Sequence, residues 1–359
     1  KSCTFYYIRY ALEWEEEMKN VKRIITWIVL SLLVQFAVFF YIDKYYLATN
    51  TTVKLKKIEN KNLDKKPDAE VKIPESAENI SVSFDGKYVA YYDGDKLQVV
   101  NTKTGEIRDI SFNEGVKVSY YKWLSDRNRM LIGEKHNTDG SYGFKLSYYD
   151  VDKNTKEEIK DLTWADEDSE VEDIQASTLT NVIYVKVARS GGKSSIYWIN
   201  IMNEMKKINT KAYLVGETAI LYHEDKLLYE DATYHKIYAT NMEDSIDIDG
   251  VKDPRLLGVD SDDNAYIGSM ENGKITKIYY GLLENPTSKW NVIPLSGPVD
   301  KNNIYISEQG KVMINDNLKG TIKEVSTGKE TSYKGKFLQV YSTGVASIKD
   351  GKLIKTNFK

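Results

Sequence analysis

The sequence predicts an all-β fold, a β-propeller of about seven four-stranded blades (six is the alternative), preceded by one transmembrane α-helix. Three observations predict it. From residue 69 onward, short runs of Val, Ile, Tyr and Phe alternate with turn residues. Similar stretches recur there about every 43 residues, which is the period of a propeller blade. One apolar run near the amino terminus has the length of a membrane-spanning helix.

The composition excludes several classes of protein. The net charge of −3, with both signs mixed along the chain, argues against nucleic-acid binding, which favours a basic face. Cys3 is the only cysteine, so no disulfide can form within the chain. His136, His223 and His235 are scattered and form no H-E-x-x-H pattern. We therefore predict no catalytic residue, no cofactor-binding residue and no metal ligand.

The apolar run extends from Ile24 to Ile42, 19 residues without a charge between Arg23 and Asp43. About 20 such residues cross the hydrocarbon core of a bilayer, so we predict that the lipid bilayer is a partner of this segment. A buried core helix is disfavoured because the run is apolar on every face. A cleaved signal peptide is also disfavoured, because the run is long for one and YYLATN makes a poor cleavage site.

Basic residues indicate the orientation of this helix. Lys19, Lys22 and Arg23 flank its amino-terminal end, whereas Lys44 stands alone just beyond its other end. The positive-inside rule then predicts a cytoplasmic tail over residues 18–23 and a propeller outside the cytoplasm of a cell membrane.

The first 17 residues are interpreted as an upstream extension. MKNVKRIITW, from Met18, is typical of the start of a bacterial membrane protein, and the preceding EWEEE is what a purine-rich ribosome-binding site would encode. Lys outnumbers Arg 43 to 7, which suits an AT-rich bacterial genome. Residues 43–68 are polar and rich in Lys and Asn towards their end, so we predict a stalk there.

The clearest copy of the repeat is FDGKYVAYYDGDKLQVVNTKTGE, residues 84–106. It predicts strands over 80–84, 87–92 and 96–101, with a fourth from about Ile107, separated by turns at Asp-Gly and Thr-Gly. The first turn of each copy is predicted near these residues: Asp85, Asp126, Thr180, Asp225, Asp263, Gln309 and Thr343. The last copy supplies only about three strands, and residues 69–74 can provide the fourth and close the ring.

This copy resembles the repeat of TolB-type propellers and of the amino-terminal propeller of dipeptidyl-peptidase IV-like proteins, a WD40-like four-stranded unit. WLSDRNRMLIGE and YDVDKNTKEEI resemble a second copy. The repeat pattern covers residues 75–359, and only the first two copies match the family specifically. The resemblance implies a propeller. The chain contains no G-x-S-x-G nucleophile elbow, so it does not imply the hydrolase domain of that family.

Residues 260–271 contain part of the pattern of a calcium-binding loop. Asp260, Asp262, Asn264 and Glu271 occupy positions 1, 3, 5 and 12 of such a loop. Ala265, however, replaces the glycine of the sharp turn, and the repeat places these residues in a turn between strands. We therefore favour turn chemistry over a weak calcium site.

Two further stretches have simpler interpretations. ARSGGKSS, residues 188–195, lacks the first glycine of a phosphate loop because position 187 is Val187, and strands flank it, so we predict a hairpin turn. The acidic run WADEDSEVED, residues 164–173, is predicted to be a solvated loop between blades.

The predicted function is a non-catalytic, membrane-anchored scaffold outside the cytoplasm, binding a protein, a peptide or another cell-envelope component at the propeller face. The alternative is a propeller enzyme, a glycan lyase or hydrolase with its site in the central channel, which requires clustered carboxylates, His or Arg at the channel mouth. A sensor is disfavoured because the cytoplasmic tail is short.

Overall fold

The structure, a computed structural model, describes residues 3–42, 68–94, 96–138 and 140–358. The chain divides into two compact units, one helical and one all-β. The predicted stalk lies outside the described residues, except for Asp68.

The helical unit is α1, Cys3–Tyr41. Its segment Val21–Tyr41 has a mean hydropathy of 2.2, and none of it is buried within the structure. By length and composition this segment can cross a membrane, as an anchor or as a signal sequence. The proposed boundaries at 17/18 and 23/24 fall inside α1, and the start at Met18 remains a prediction.

The all-β unit consists of seven antiparallel sheets, each made of strands that follow one another in the sequence. Blade 1 contains β1 Glu78–Val82, β2 Tyr88–Asp93, β3 Lys96–Asn101 and β4 Ile107–Ile110. Blade 2 contains β5 Val116–Trp123, β6 Arg129–Thr138, β7 Ser141–Asp150 and β8 Thr155–Ala165. Blade 3 contains β9 Glu170–Ser177, β10 Val182–Arg189, β11 Lys193–Asn200 and β12 Met205–Ile208. Blade 4 contains β13 Val215–Ile220, β14 Leu227–Asp231 and β15 Ile237–Ala239.

The remaining sheets follow the same order. Blade 5 contains β16 Pro254–Val259, β17 Ala265–Glu271, β18 Lys274–Gly281 and β19 Asn291–Val299. Blade 6 contains β20 Ile304–Ile306, β21 Val312–Asp316, β22 Thr321–Glu324 and β23 Glu330–Ser332. Blade 7 contains β24 Lys336–Tyr341, β25 Gly344–Lys349 and β26 Lys352–Asn357. The prediction of a propeller is confirmed, with seven blades.

All seven predicted first turns lie between the first and second strands of a blade. Blade 4 departs from the prediction of four strands, because its sheet contains three; the three strands of blade 7 agree with the prediction for the last copy. In blade 4 an irregular segment lies beside the outermost strand, where the Ile246 N–H donates to the Ile237 carbonyl at 2.8 Å.

The ring closes through residues before the first blade, as predicted. The Ile73 N–H donates to the Gly351 carbonyl at 2.8 Å, and the Leu353 N–H donates to the Val71 carbonyl at 2.9 Å. Lys72 and Lys352 form an antiparallel bridge. This segment therefore covers the outer edge of β26 and joins the two ends of the propeller.

The core lies in the layers between neighbouring blades. Successive side chains of a strand point to opposite faces of its sheet, so each sheet packs on both sides. On β2, Tyr88 and Ala90 join the cluster shared with blade 2, whereas Val89 and Tyr91 pack with Val71 of the closing segment. Many tyrosines pack between blades in this way, among them Tyr121, Tyr149 and Tyr266.

The Asp-Gly turn of the first copy also contributes to packing between blades. The Asp85 carboxylate accepts from the Lys87 N–H at 3.0 Å and from the Asn128 amide of blade 2 at 3.3 Å. Gly86 has φ +69°, and a Cβ there would lie 2.9 Å from the Tyr341 ring of blade 7. Glycine is required at this position by both conformation and space.

Candidate functional site

The first strands of the seven blades surround a central channel, and two cavities occupy it. The larger cavity, about 640 Å³, is lined mainly by blades 1, 2, 6 and 7, with side chains of blades 4 and 5. The smaller cavity, about 240 Å³, is lined by blades 2 to 5. Lys122 and the three residues after it line both cavities. Ligand sites of about 300–1,000 Å³ are typical, so the larger cavity is the candidate site.

Asp173 is a charged group in the channel between blades 2, 3 and 4. Its carboxylate lies 3.2 Å from Lys122 Nζ and accepts hydrogen bonds from the Gln175 amide at 2.7 Å and from the Thr218 hydroxyl. Burial raises the pKa of Asp173, but the Lys122 charge and these hydrogen bonds outweigh it, so the pKa lies below its ordinary value. The carboxylate therefore stays ionised at neutral pH.

A second charged cluster joins blades 4, 5 and 6. The Glu230 carboxylate is nearly fully buried, with one oxygen 2.8 Å from Arg255 Nη1 and the other 3.0 Å from Lys301 Nζ. Glu217 lies 3.8 Å from the same lysine nitrogen, and Asp253 lies 3.0 Å from Arg255 Nε. Lys301 thus connects blade 6 directly to blade 4.

Tyr222 connects the same two blades at the other end of the first strands. Its hydroxyl lies 3.5 Å from a carboxylate oxygen of Glu308 in blade 6 and interacts with Ser125 in blade 2. Burial, followed by the Glu308 charge, raises the pKa of Tyr222 to about 12, so the hydroxyl keeps its proton. The Tyr222 carbonyl accepts from the Ser177 hydroxyl at 2.6 Å, which holds its backbone against blade 3.

Of the four candidate calcium ligands, Glu271 does not join the other three. The Asp260 carboxylate accepts from the Asp262 N–H at 3.0 Å, the Asn264 N–H at 2.9 Å and the Tyr266 hydroxyl at 2.9 Å, so it organises its own turn. Glu271 lies at the far end of β17, about 20 Å along the strand from that turn. The parts of the chain that the structure describes contain no group of three His, Cys, Asp or Glu placed to hold a metal ion.

The glycine-rich stretch 188–195 and the acidic run 164–173 also have defined places in the fold. Gly191 and Gly192 form the hairpin turn between β10 and β11, as predicted. The acidic run forms a loop only over residues 166–169, where Glu167 and Asp168 are exposed; the rest of the run, predicted as loop, lies in β8 and β9. Asp173, at the end of the run, lies in the channel instead, because it falls within β9, a first strand.

Sequence reasoning did not select the charged residues of the channel, namely Lys122, Asp173, Glu217, Glu230, Arg255 and Lys301. A usable signal was present at Lys122, which interrupts the aromatic stretch YYKW on a strand with both neighbours partly or fully buried. Charged residues inside such strands are rarely buried without a partner. Their partners are far away in the sequence, so the pairing itself was not predictable.

Comparison with known proteins gives structural neighbours only. The chain matches no protein-family model and no curated protein. Dipeptidyl peptidase 4 of Porphyromonas gingivalis is similar with a TM-score of 0.44 and 13% identity, over 78% of this chain and 45% of that one. Hsv2 of Kluyvelomyces marxianus has a TM-score of 0.45 and 11% identity, over 76% and 88% of the two chains. Hydrazine synthase of Kuenenia stuttgartiensis has a TM-score of 0.45 and 16% identity, over 72% of this chain and 78% of that one.

These neighbours include proteins named as enzymes, and identities of 11 to 16% carry no function to this chain. A dipeptidyl peptidase 4 structure is among them, and the resemblance to TolB-type and dipeptidyl-peptidase IV-like repeats remains a prediction. The chain is a seven-bladed propeller preceded by one apolar helix.

Proposed function

We propose that this protein is a membrane-anchored binding module of the bacterial cell envelope, with its propeller outside the cytoplasm and a protein or peptide as its partner. Val21–Tyr41 serves as the anchor, and Lys22 and Arg23 keep its amino-terminal end on the cytoplasmic side. The larger channel cavity and the propeller face around it form the binding site.

One observation carries this proposal: Lys122 and Lys301, which line the larger cavity, are paired with carboxylates that lie beside it. Both Glu230 oxygens are engaged, one by Arg255 and one by Lys301, and Asp173 is held ionised by Lys122. A general acid or base needs an exchangeable proton and a pKa near the working pH. Groups paired in this way shape and neutralise a cavity, which supports recognition rather than proton transfer.

A propeller enzyme acting on glycans is the second candidate, and one observation favours it. Glu217 and Glu230 both lie within 4 Å of Lys301 Nζ, which meets the requirement for clustered carboxylates and a cation beside the channel. Glu217 is about half exposed and is therefore the carboxylate that a substrate can reach. It is the group through which this candidate can be tested.

Crosslinking and affinity purification of the full chain from native membranes tests the proposal. We expect one envelope protein or peptide to be recovered, and Asn302→Trp, which fills the mouth of the larger cavity from an exposed position, to reduce the recovery at least tenfold. Val292→Trp on the outer strand β19 is the control and should leave recovery unchanged. If no partner is captured, while a glycan library is turned over and Glu217→Gln abolishes the turnover, the enzyme is the correct function.

A further inference from the structure

We propose that the propeller rests on the lipid surface of the membrane through blade 3, with the exposed apolar side chains of Leu179, Ile201 and Met202 in contact with lipid. This inference rests on the membrane anchor of the proposed function and adds the orientation of the propeller. It depends on three features: how these side chains lie together, how Ile201 departs from the other blades, and where the chain enters the ring.

Leu179, Ile201 and Met202 lie at one end of blade 3. Leu179 belongs to the turn between β9 and β10, and the other two directly follow β11. Val182, the first residue of β10, pairs with the last residues of β9 and β11, so the two turns leave the sheet side by side. The exposed fractions of the three residues are 59%, 70% and 76%. We call this end of the ring, which bears the first turn of every blade, the first-turn face.

Ile201 departs from the corresponding residues of the other blades. In those six blades, the residue that follows the third strand is buried or partly buried, namely Thr102, Val151, Thr240, Leu282, Val325 and Phe358. In blade 1 the Thr102 hydroxyl accepts from Lys355 of blade 7 at 2.8 Å and donates to the Gly86 carbonyl at 2.8 Å, so neighbouring segments cover it. Blade 3 instead exposes a large apolar residue at this position, beside two others, and such a group marks an interaction surface.

The chain enters the propeller at the first-turn face. The Ala69 N–H donates to the Lys103 carbonyl at 3.2 Å, and Lys103 lies in the turn that follows β3. The Asp68 carboxylate lies 2.8 Å from Lys355 Nζ, which also donates to a carbonyl in the first turn of blade 1 at 3.1 Å. Residues 43–67 connect this point to the apolar helix. A tether attached here keeps the first-turn face near the bilayer that holds the anchor.

The contact with lipid needs little affinity of its own. Each apolar side chain gains free energy in proportion to the apolar area that it removes from water. A protein that is already anchored has lost its freedom to diffuse away, so this gain is not offset by a second loss of that kind. Three neighbouring apolar side chains therefore suffice to hold a tethered domain against a membrane.

A second exposed group lies at the opposite face of the ring. Tyr213 and Leu214 precede the first strand of blade 4, and Tyr234 lies in the turn between β14 and β15. This group is more polar, because two of its members carry hydroxyl groups and Lys193 Nζ lies 5.9 Å from the centre of the Tyr213 ring. Asn302, at the mouth of the larger cavity, also precedes a first strand and so belongs to this face. With the first-turn face on lipid, that mouth opens away from the membrane, towards the partner of the proposed function.

The test uses the full chain in phospholipid vesicles with one spin label. Since Cys3 is the only cysteine, Cys3→Ser provides a background for Met202→Cys and, as the matched control, Tyr234→Cys. Both positions lie in turns and have the same exposed fraction, 76%. An inserted side chain lies about 5–10 Å below the lipid surface, so we expect the accessibility to oxygen relative to a water-soluble nickel chelate to be about fivefold higher at Met202.

A second pair of variants tests whether the three side chains act together. In a chain labelled at Leu179→Cys, Ile201→Glu should restore access of the nickel chelate to the label, because a carboxylate is costly to place in lipid. Ile201→Leu keeps an apolar side chain of the same size and should leave that access unchanged.

Equal accessibility ratios at Met202 and Tyr234 would overturn the inference. A higher ratio at Tyr234 would also overturn it and place the opposite face on the membrane. A Met202 label that is shielded only at high protein density would show that a second copy covers this surface instead of lipid. In each of these cases, cosedimentation of the full chain with the vesicles would leave the proposed anchor intact. A chain that does not cosediment would reject the anchor together with the inference.

Discussion

Blades 1 and 2 are joined by directional contacts. The Tyr121 hydroxyl of blade 2 donates to the Ala90 carbonyl of blade 1 at 2.9 Å, and the Trp123 indole N–H donates to the Ser81 carbonyl at 3.2 Å. Both aromatic rings are also buried in the cluster between the two sheets. Hydrogen bonds of this kind set the angle and the register between blades.

Blades 6 and 7 are joined in a different way. Phe337 of β24 packs against Tyr305 at 5.3 Å and Tyr333 at 5.7 Å between ring centroids, with Met313 and Val345 beside them. Among the described residues, no hydrogen bond or ion pair connects the sheet of blade 6 to that of blade 7. Apolar contacts are non-directional, so these two sheets can shift relative to each other at lower cost than blades 1 and 2.

The difference between the two junctions bears on the candidate site. The larger cavity lies beside the apolar junction, since both β20 and β24 contribute to its lining. Polar contacts at other junctions, such as those of Glu230 with blades 5 and 6 and of Gln339 with blade 1, give the ring a polar frame. We expect the apolar junction to give the cavity a side that can adapt to a ligand. Three substitutions test this comparison, beginning with the largest expected effect.

Removing the central carboxylate of the polar frame should destabilise the propeller most. Glu230→Ala leaves Arg255 and Lys301 without their buried partner, so we expect the free energy of unfolding to fall by about 3–5 kcal/mol in urea titrations. Glu217→Ala is the control, because Glu217 is half exposed and should contribute less than about 1 kcal/mol. Equal losses of unfolding free energy for the two variants would show that the buried Glu230 cluster does not stabilise the propeller.

Weakening the apolar junction should have a smaller and more local effect. Phe337 is partly buried, so Phe337→Ala should cost about 2 kcal/mol, below the ~3–5 kcal/mol typical of fully buried aromatic residues. Hydrogen exchange should accelerate in β24, β25 and β26 more than in β2 and β3. Val292→Ala, at an exposed position of blade 5, is the control and should change neither the free energy of unfolding nor the hydrogen exchange of these strands. Uniform acceleration across all blades would contradict a local effect at the junction of blades 6 and 7.

The smallest expected effect is that of Asp173→Asn on how the free energy of unfolding changes with pH. The pKa of Asp173 in the folded protein lies below its unfolded value, so its ionised form stabilises the fold at pH values above about 4, the ordinary pKa of Asp. This contribution is lost as the pH falls through the lower, folded pKa. The stability difference between wild type and Asp173→Asn should therefore be constant near neutrality and shrink below about pH 4. A difference that does not change with pH would show that the Asp173 charge plays no part.

The sequence predicted the repeat accurately because its signals are local. Turn chemistry at Asp85-Gly86 and alternation over residues 87–92 depend on residues a few positions apart. Strand limits differ by a few residues, as at Ser83 and Phe84, which belong to the turn rather than to β1. The three-stranded sheet of blade 4 shows where the local pattern becomes too weak to define a strand.

The sequence by itself determined the all-β class, the repeat and the apolar helix, since period-2 alternation and an uncharged run act within a short stretch of chain. It left six or seven blades open, and the structure shows seven. Only the tertiary structure decided which residues meet in the channel. Lys301 reaches Glu230 across 71 positions, and Gln339 reaches Val82 across 257. Such contacts depend on the ring bringing first strands together, so neither composition nor spacing along the chain could reveal them.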